Sequence, residues 1–151
     1  EKIYGAVESG GCEKIESIIQ TEDDGYMIIS SLESDLKIVK TDYLGNYEWS
    51  KTYGDIGIEN GLDIQQTSDG GYIAVGYTDS KGKGELDAWI LKLDMLGNLE
   101  WDQTFGGTGK DKFRKVIEVN EGKYVAVGYQ ATSDNDNEIM VRLLEESQLC
   151  E

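Results

Sequence analysis

Residues 69–77 read Asp-Gly-Gly-Tyr-Ile-Ala-Val-Gly-Tyr, and residues 121–129, which lie 52 positions further along, read Glu-Gly-Lys-Tyr-Val-Ala-Val-Gly-Tyr. A second stretch repeats at the same interval, because Asn-Tyr-Glu-Trp-Ser-Lys-Thr-Tyr-Gly at 46–54 returns as Asn-Leu-Glu-Trp-Asp-Gln-Thr-Phe-Gly at 98–106. A fixed period of about fifty residues indicates that one supersecondary unit is stacked several times. At that period the 151-residue chain holds three units.

Each unit is predicted to contain four short strands, named A to D in chain order. The runs are rich in Ile, Val, Tyr and Trp and are bounded by Gly, Asp, Asn and Ser, which is the pattern of β-strands. Gly and Asn between B and C and between D and A suit tight antiparallel hairpins, because both tolerate positive φ. The predicted strands are A at 47–53 and 99–105, B at 15–21, 62–67 and 113–119, C at 26–31, 72–77 and 124–129, and D at 36–41, 88–93 and 139–144.

An alignment of the D strands places Lys40, Lys92 and Arg142 at equivalent positions. The same alignment gives Trp89 the counterparts Lys37 and Ile139, which predicts a partly exposed position for this tryptophan.

The two ends of the chain are predicted to fall inside one A strand. Residues 1–5 match 50–54, and Glu151 aligns with Trp101. We predict a single repeat domain over 1–151, with repeats at approximately 1–49, 50–101 and 102–151. Strand A of the closing repeat is then shared by both termini, which would remove an unpaired sheet edge.

Four strings carry a resemblance to a known family: Gly-Gly-Tyr-Ile-Ala-Val-Gly-Tyr-Thr at 70–78, Asp-Ala-Trp-Ile-Leu-Lys-Leu-Asp at 87–94, Leu-Gly-Asn-Leu-Glu-Trp at 96–101, and Thr-Phe-Gly-Gly at 104–107. Together they resemble a bacterial and archaeal β-propeller repeat family whose members are mostly secreted or surface proteins. The resemblance covers the second repeat fully, the third up to Leu144, and the first loosely. It implies propeller blades and no catalytic residues.

The predicted fold class is all-β, with three four-stranded antiparallel repeats of the β-propeller blade type. Propellers usually have four to eight blades. Three blades therefore imply two paired chains, a part of something longer, or a subunit of an open assembly. A β-trefoil, which also uses three four-stranded units, is the alternative.

Charge and composition argue against several classes of binding partner and of chemistry. The chain has 14 basic and 30 acidic residues and a net charge of −16, which repels nucleic acid and anionic lipid surfaces. No apolar run is long enough to span a bilayer, so we expect no membrane insertion. Histidine is absent, which removes His ligands and a hydrolytic triad based on His. We therefore predict that the protein is not an enzyme, and enzyme activity is the weakest alternative.

Candidate binding residues lie in the C–D loops, where the spacing between strands varies. Asp134, Asp136 and Glu138 place oxygen ligands at alternate positions, as calcium loops do, but the Gly and distal Glu of an EF-hand are missing. We therefore predict no cofactor, with calcium as the one candidate and a solvated acidic loop as the simpler interpretation.

A second acidic loop contains Asp79 and Asp87, with lysines interleaved between them. Trp89 follows it and is a candidate for stacking on a sugar. Trp49 and Trp101 recur at one repeat position, so they are predicted to lie in the core between units.

The two cysteines, Cys12 and Cys150, belong to the same repeat once the circular register is drawn. An even count in an exported chain favours a disulfide, within one chain or between neighbouring subunits. Two unpaired thiols in a cytoplasmic protein are the alternative.

These observations favour a non-catalytic, extracellular or cell-surface repeat module for self-association, as a homo-oligomer or filament, or for protein binding. A lectin-like carbohydrate-binding propeller is the competing interpretation.

Overall fold

The computed structural model describes residues 14–32, 34–132 and 137–146. In these ranges the chain forms eleven β-strands and no α-helix. These strands form two sheets of four and one sheet of three, and within each sheet the strands that follow one another in sequence pair antiparallel. The all-β class and the repeated antiparallel unit are therefore confirmed.

The three sheets follow one another along the chain. Sheet 1 contains β1 (Lys14–Gln20), β2 (Tyr26–Leu32), β3 (Asp35–Thr41) and β4 (Tyr47–Tyr53). Sheet 2 contains β5 (Glu59–Gln66), β6 (Tyr72–Thr78), β7 (Asp87–Leu93) and β8 (Leu99–Phe105). Sheet 3 contains β9 (Lys112–Asn120), β10 (Lys123–Ala131) and β11 (Asn137–Glu145). In each sheet the strands therefore follow the order B, C, D. In sheets 1 and 2 the next strand along the chain, which is strand A (β4 or β8), pairs with D as the fourth strand.

The turn between β7 and β8 shows why these hairpins form. The Asp94 carboxylate accepts the backbone N–H groups of Leu96 and Asn98 at 2.8 and 2.7 Å. Gly97 between them has φ of 72°, a conformation that side-chain-bearing residues rarely adopt. The turn at 42–46 repeats the same hydrogen bonds, with Gly45 at φ of 71°. A short local motif thus reverses the chain at the same place in both repeats.

The sheets pack face to face, and sheet 2 lies in the middle. Strand β5 packs against β1 and β2, while β9 packs against β5 and β6. Trp49 packs against the core between sheets 1 and 2, and Trp101 against the core between sheets 2 and 3, as their repeat position predicts. The first core contains Met27, Ile29, Leu36, Ile38, Tyr53, Ile64, Tyr72, Ala74, Trp89, Leu91 and Leu93. The second contains Ile73, Val75, Ala88, Ile90, Phe113, Val116, Tyr124, Ala126, Met140 and Leu144.

A polar contact joins the first strands of all three sheets. Asp63 of β5 is buried, and its carboxylate accepts the Ser17 hydroxyl at 3.3 Å, the Lys115 ammonium at 2.8 Å and the Val116 N–H at 3.2 Å. A buried carboxylate needs such partners to offset its lost hydration. Asp63 therefore fixes how β1, β5 and β9 lie beside one another.

The register of β11 corrects the alignment of the D strands. Leu144 lies opposite Tyr124, as Leu93 lies opposite Tyr72. Leu143, rather than Arg142, is therefore the counterpart of Lys92. The predicted alignment, which matched the basic residues of the D strands, was wrong by one residue. The register is set instead by burial of the apolar side chains that face sheet 2.

The same shift changes the counterpart of Trp89. Trp89 lies opposite Gly76, and Met140 lies opposite the equivalent Gly128. Met140 is therefore the counterpart of Trp89, and the prediction of Ile139 was wrong.

The predicted closing strand, formed from both termini, falls on residues 1–13 and 147–151, which lie outside the described residues. No closed sheet is formed by the part of the chain that the structure describes.

Candidate binding interface

Trp89 is a core residue in β7. Its exposed fraction is 1%, so the prediction of a partly exposed position was wrong. The indole N–H donates to the Asp102 carboxylate at 2.7 Å, and the Lys81 ammonium, which also binds Asp102, lies 5.3 Å from the ring centroid. Trp89 lines a cleft of about 370 Å³ between sheets 1 and 2, together with Lys81 and Asn98. A ligand role for Trp89 stays a prediction.

Asp79 and Asp87 both hold backbone in place. The Asp79 carboxylate accepts the Ile58 N–H at 2.6 Å, which ties the loop before β5 to the loop after β6. Asp87 is buried and accepts the N–H groups of Lys83 and Gly84 at 3.0 and 2.8 Å, which folds that loop back onto β7. Asp87 and Trp89 share one side of β7, while Asp79 is exposed at the other end of the loop. Their ligand role likewise stays a prediction.

The other predicted sites lie largely outside the described residues. Asp134, Asp136, Cys12 and Cys150 are all among the residues left undescribed, and Glu138 is exposed in β11. Within 14–32, 34–132 and 137–146, no group of three or more Cys, Asp or Glu side chains is placed to hold a metal ion. Calcium binding and the disulfide remain predictions.

A buried lysine closes the turn end of sheet 2, and sheet 1 repeats it. The side chain of Lys92 is fully buried, and its ammonium donates to Asp69 at 2.7 Å, to Glu100 at 3.1 Å and to the Leu93 carbonyl at 3.3 Å. The equivalent Lys40 donates to Asp23, Glu48 and the Thr41 carbonyl at 2.8, 3.0 and 2.9 Å. Each lysine thus meets two carboxylates and one carbonyl, which satisfies all three of its donors.

These contacts shift the pKa values of the aspartates. Hydrogen bonds from Lys40 and Thr21 lower the pKa of Asp23 from 3.8 to about 2. Burial alone would raise the pKa of Asp69, but hydrogen bonds from Lys92 and Thr67 outweigh it and lower that pKa to about 2 as well. Burial likewise opposes the charge on Lys92, yet its two carboxylate partners raise its pKa overall.

We expect these two aspartates to contribute to acid unfolding. Their pKa values are depressed in the folded state, so their contribution is present above pH 4 and is lost as pH falls from about 4 to about 2. Both carboxylates are about half exposed, so solvent screening leaves roughly 1 kcal/mol from each. Urea unfolding between pH 2 and pH 7 measures the loss.

The variant carrying Asp23→Asn and Asp69→Asn should lose less stability across this range than the parent. Glu121→Gln is the matched control, because it removes a carboxylate from the equivalent turn of sheet 3, where Leu143 replaces the lysine. An unchanged pH dependence in the double variant would contradict the assignment.

The outer face of sheet 3, on the side away from sheet 2, is apolar and open. The side chains of Ile139, Val141 and Leu143 alternate along β11 and are 87%, 62% and 65% exposed. Met140 and Leu144, on the opposite side of the strand, point to sheet 2 and are buried. We name this surface the sheet 3 outer face, and it consists of Ile117, Val125, Val127, Ile139, Val141 and Leu143.

The same surface is fully covered in sheets 1 and 2. Val141 lies opposite Val127 as Ile90 lies opposite Val75 and as Ile38 lies opposite Ile29. The equivalent side chains of sheet 2 are covered by sheet 3 and have 0% exposure; they are Ile73, Val75, Ala88 and Ile90. The equivalent side chains of sheet 1 are covered by sheet 2 and also have 0% exposure; they are Met27, Ile29, Leu36 and Ile38. The sheet 3 outer face is therefore a packing surface without its covering sheet among the described residues.

Sequence reasoning predicted the strands of sheet 3 and missed this surface. The alternation of Ile139, Val141 and Leu143 with polar or inward residues was the available signal. The one-residue error in the alignment hid it, because Leu143 was not recognised as standing at the position of Lys40 and Lys92.

No protein-family model matches the chain, and no curated protein matches its sequence. The described ranges also contain no helix long and apolar enough to cross a membrane.

Proposed function

We propose that this protein is a non-catalytic repeat module that associates with further sheets of its own kind, stacked face to face as propeller-type blades. The observation that carries the proposal is the open, apolar outer face of sheet 3, whose counterparts in the other two sheets are covered. The three sheets are separate from one another, and their first strands β1, β5 and β9 lie side by side, which favours propeller-type blades. In a trefoil, strands from all three units would share one barrel.

Burial energetics support association through this face. Its six side chains carry no charge, although the chain has a net charge of −16, and the ammonium of Lys115, which lies opposite Val127, is paired with the Asp63 carboxylate at 2.8 Å. Fully burying one large aliphatic side chain stabilises a complex by about 1.5–3 kcal/mol. Contiguous apolar patches on soluble proteins commonly mark interaction sites. An apolar sheet fits this surface better than a charged partner does.

The other interpretations have different support. Action outside the cell rests on the family resemblance alone. The lectin-like alternative loses its proposed stacking platform, because Trp89 is buried. We therefore favour assembly over carbohydrate binding.

We expect Val141→Lys to reduce the protein to a monomer. The parent should elute as a multimer of the 16.8 kDa chain, whereas the variant should elute at that mass. The reason is that the new ammonium would have to leave water to enter an apolar interface. Light scattering after size-exclusion chromatography measures both masses.

Ile56→Lys is the control, since Ile56 is 95% exposed in the loop before β5 and lies away from the sheet 3 outer face. It should assemble like the parent. A parent protein that stays monomeric at high micromolar concentration would overturn the proposed function.

A further inference from the structure

We infer that the association is head to tail: the sheet 3 outer face of one copy packs on the outer face of sheet 1 of the next copy. This inference rests on the proposed function and names the partner of its binding face. It follows from the two ends of the stack, which expose complementary halves of one repeated interface.

Sheet 1 presents the missing partner surface. Ile18 is 59% exposed, and Tyr26 and Ile28 beside it are half-buried. We name these three residues the sheet 1 outer face. Val39, on the same side of the sheet, is already buried, so the accessible part of this side is the half formed by β1 and β2.

The strand register identifies the residues of sheets 2 and 3 that are equivalent to the sheet 1 outer face. Ile18 lies opposite Ile28, as Ile64 lies opposite Ala74 and Val116 lies opposite Ala126. In sheets 2 and 3 the equivalent residues are buried against the preceding sheet; they are Ile64, Tyr72 and Ala74, and Val116, Tyr124 and Ala126. The sheet 1 outer face is therefore built to receive a preceding sheet, and the sheet 3 outer face to receive a following one.

Two copies can repeat the internal packing only in this arrangement. The junctions between sheets 1 and 2 and between sheets 2 and 3 both join these two kinds of face. A contact between two sheet 3 outer faces would join like to like, which neither internal junction does. Head-to-tail contacts are heterologous, so repetition closes a ring or extends a filament.

The junction between copies differs from the internal ones in its polar groups. Asp63 receives hydrogen bonds from both neighbouring sheets, whereas Lys115 stands at the equivalent position of β9. Leu143 likewise replaces the buried lysine of the other sheets. Contact between copies therefore relies on apolar packing more than the internal junctions do, and it needs no buried carboxylate.

A mixing experiment tests the direction of assembly. Val141→Lys blocks the sheet 3 outer face and keeps the sheet 1 outer face, while Ile18→Lys does the reverse. Each variant alone should be a monomer. An equimolar mixture should form a 1:1 complex with twice the 16.8 kDa mass and nothing larger, measured by light scattering and native mass spectrometry.

The alternative outcomes separate the two proposals. If Ile18→Lys alone still assembles like the parent, and its mixture with Val141→Lys gives no new complex, the head-to-tail inference is wrong while assembly through sheet 3 stands. A monomeric parent overturns the proposed function itself. Both positions are exposed, so circular dichroism that matches the parent's shows that each variant folds. Ile56→Lys again serves as the control for an added surface charge.

Discussion

Trp89→Ala is expected to lower the free energy of unfolding by about 3–5 kcal/mol, the range for removing a large aromatic side chain from a packed core. The substitution empties a buried volume between sheets 1 and 2 and leaves the Asp102 carboxylate without its indole donor. Urea denaturation in the monomeric Val141→Lys background gives the cleanest measurement, because unfolding there is not linked to association.

Trp89→Phe is the matched variant. It keeps an aromatic ring in the core and removes the indole hydrogen bond, so the expected cost is smaller, about 1–2 kcal/mol. A loss below about 1 kcal/mol for Trp89→Ala would show that the residue does not belong to the core, and it would revive the interpretation of Trp89 as a ligand platform.

Gly76→Ala is expected to cost about 3 kcal/mol or more, at the upper end of what overpacking does. A Cβ at Gly76 would lie 1.7 Å from the backbone carbonyl oxygen of Asn60 on the neighbouring strand. Backbone cannot rotate away as a side chain does, so β5 and β6 would have to separate. The equivalent Gly128 would place a Cβ 1.9 Å from the Lys112 carbonyl oxygen, so Gly128→Ala should behave alike.

Gly70→Ala separates this steric cost from backbone strain. Gly70 has φ of 82°, but a Cβ there would meet nothing within 4 Å. We expect a cost of about 1 kcal/mol, which reflects the left-handed conformation alone. Equal losses for Gly70→Ala and Gly76→Ala, measured by the same urea titration, would contradict the close approach of the strands.

The fold was predictable because its determinants are local and repeated. Hairpin turns such as 94–98 are encoded by Asp, Gly and Asn at fixed spacing, and the strands between them are short runs rich in Ile, Val, Tyr and Trp. The exposure of Trp89 was not predictable in the same way, because it depends on which sheet covers that side of β7. Which sheet covers a given face depends on how whole sheets pack together, and a short stretch of sequence does not carry that information.

The candidate interface was hidden by a register error of one residue. Arg142 was matched to Lys92 because both carry positive charge, although the sheet aligns residues by which face they bury. A shift of one position exchanges the two faces of a strand. The apolar row of Ile139, Val141 and Leu143 therefore became visible only when the pairing with β10 fixed its direction.

The central place of sheet 2 has a consequence for how the molecule opens. Sheet 2 is covered on both faces, whereas sheets 1 and 3 each have one covering neighbour among the described residues. In stacked repeats stability is close to a sum of each unit's own stability and the coupling to its nearest neighbours. Sheet 3 can detach by breaking one coupling, but sheet 2 must break two. Local opening therefore starts at the ends of the stack, and a new neighbour on the outer face of sheet 3 would slow amide hydrogen exchange there first, well before it protected the centre further.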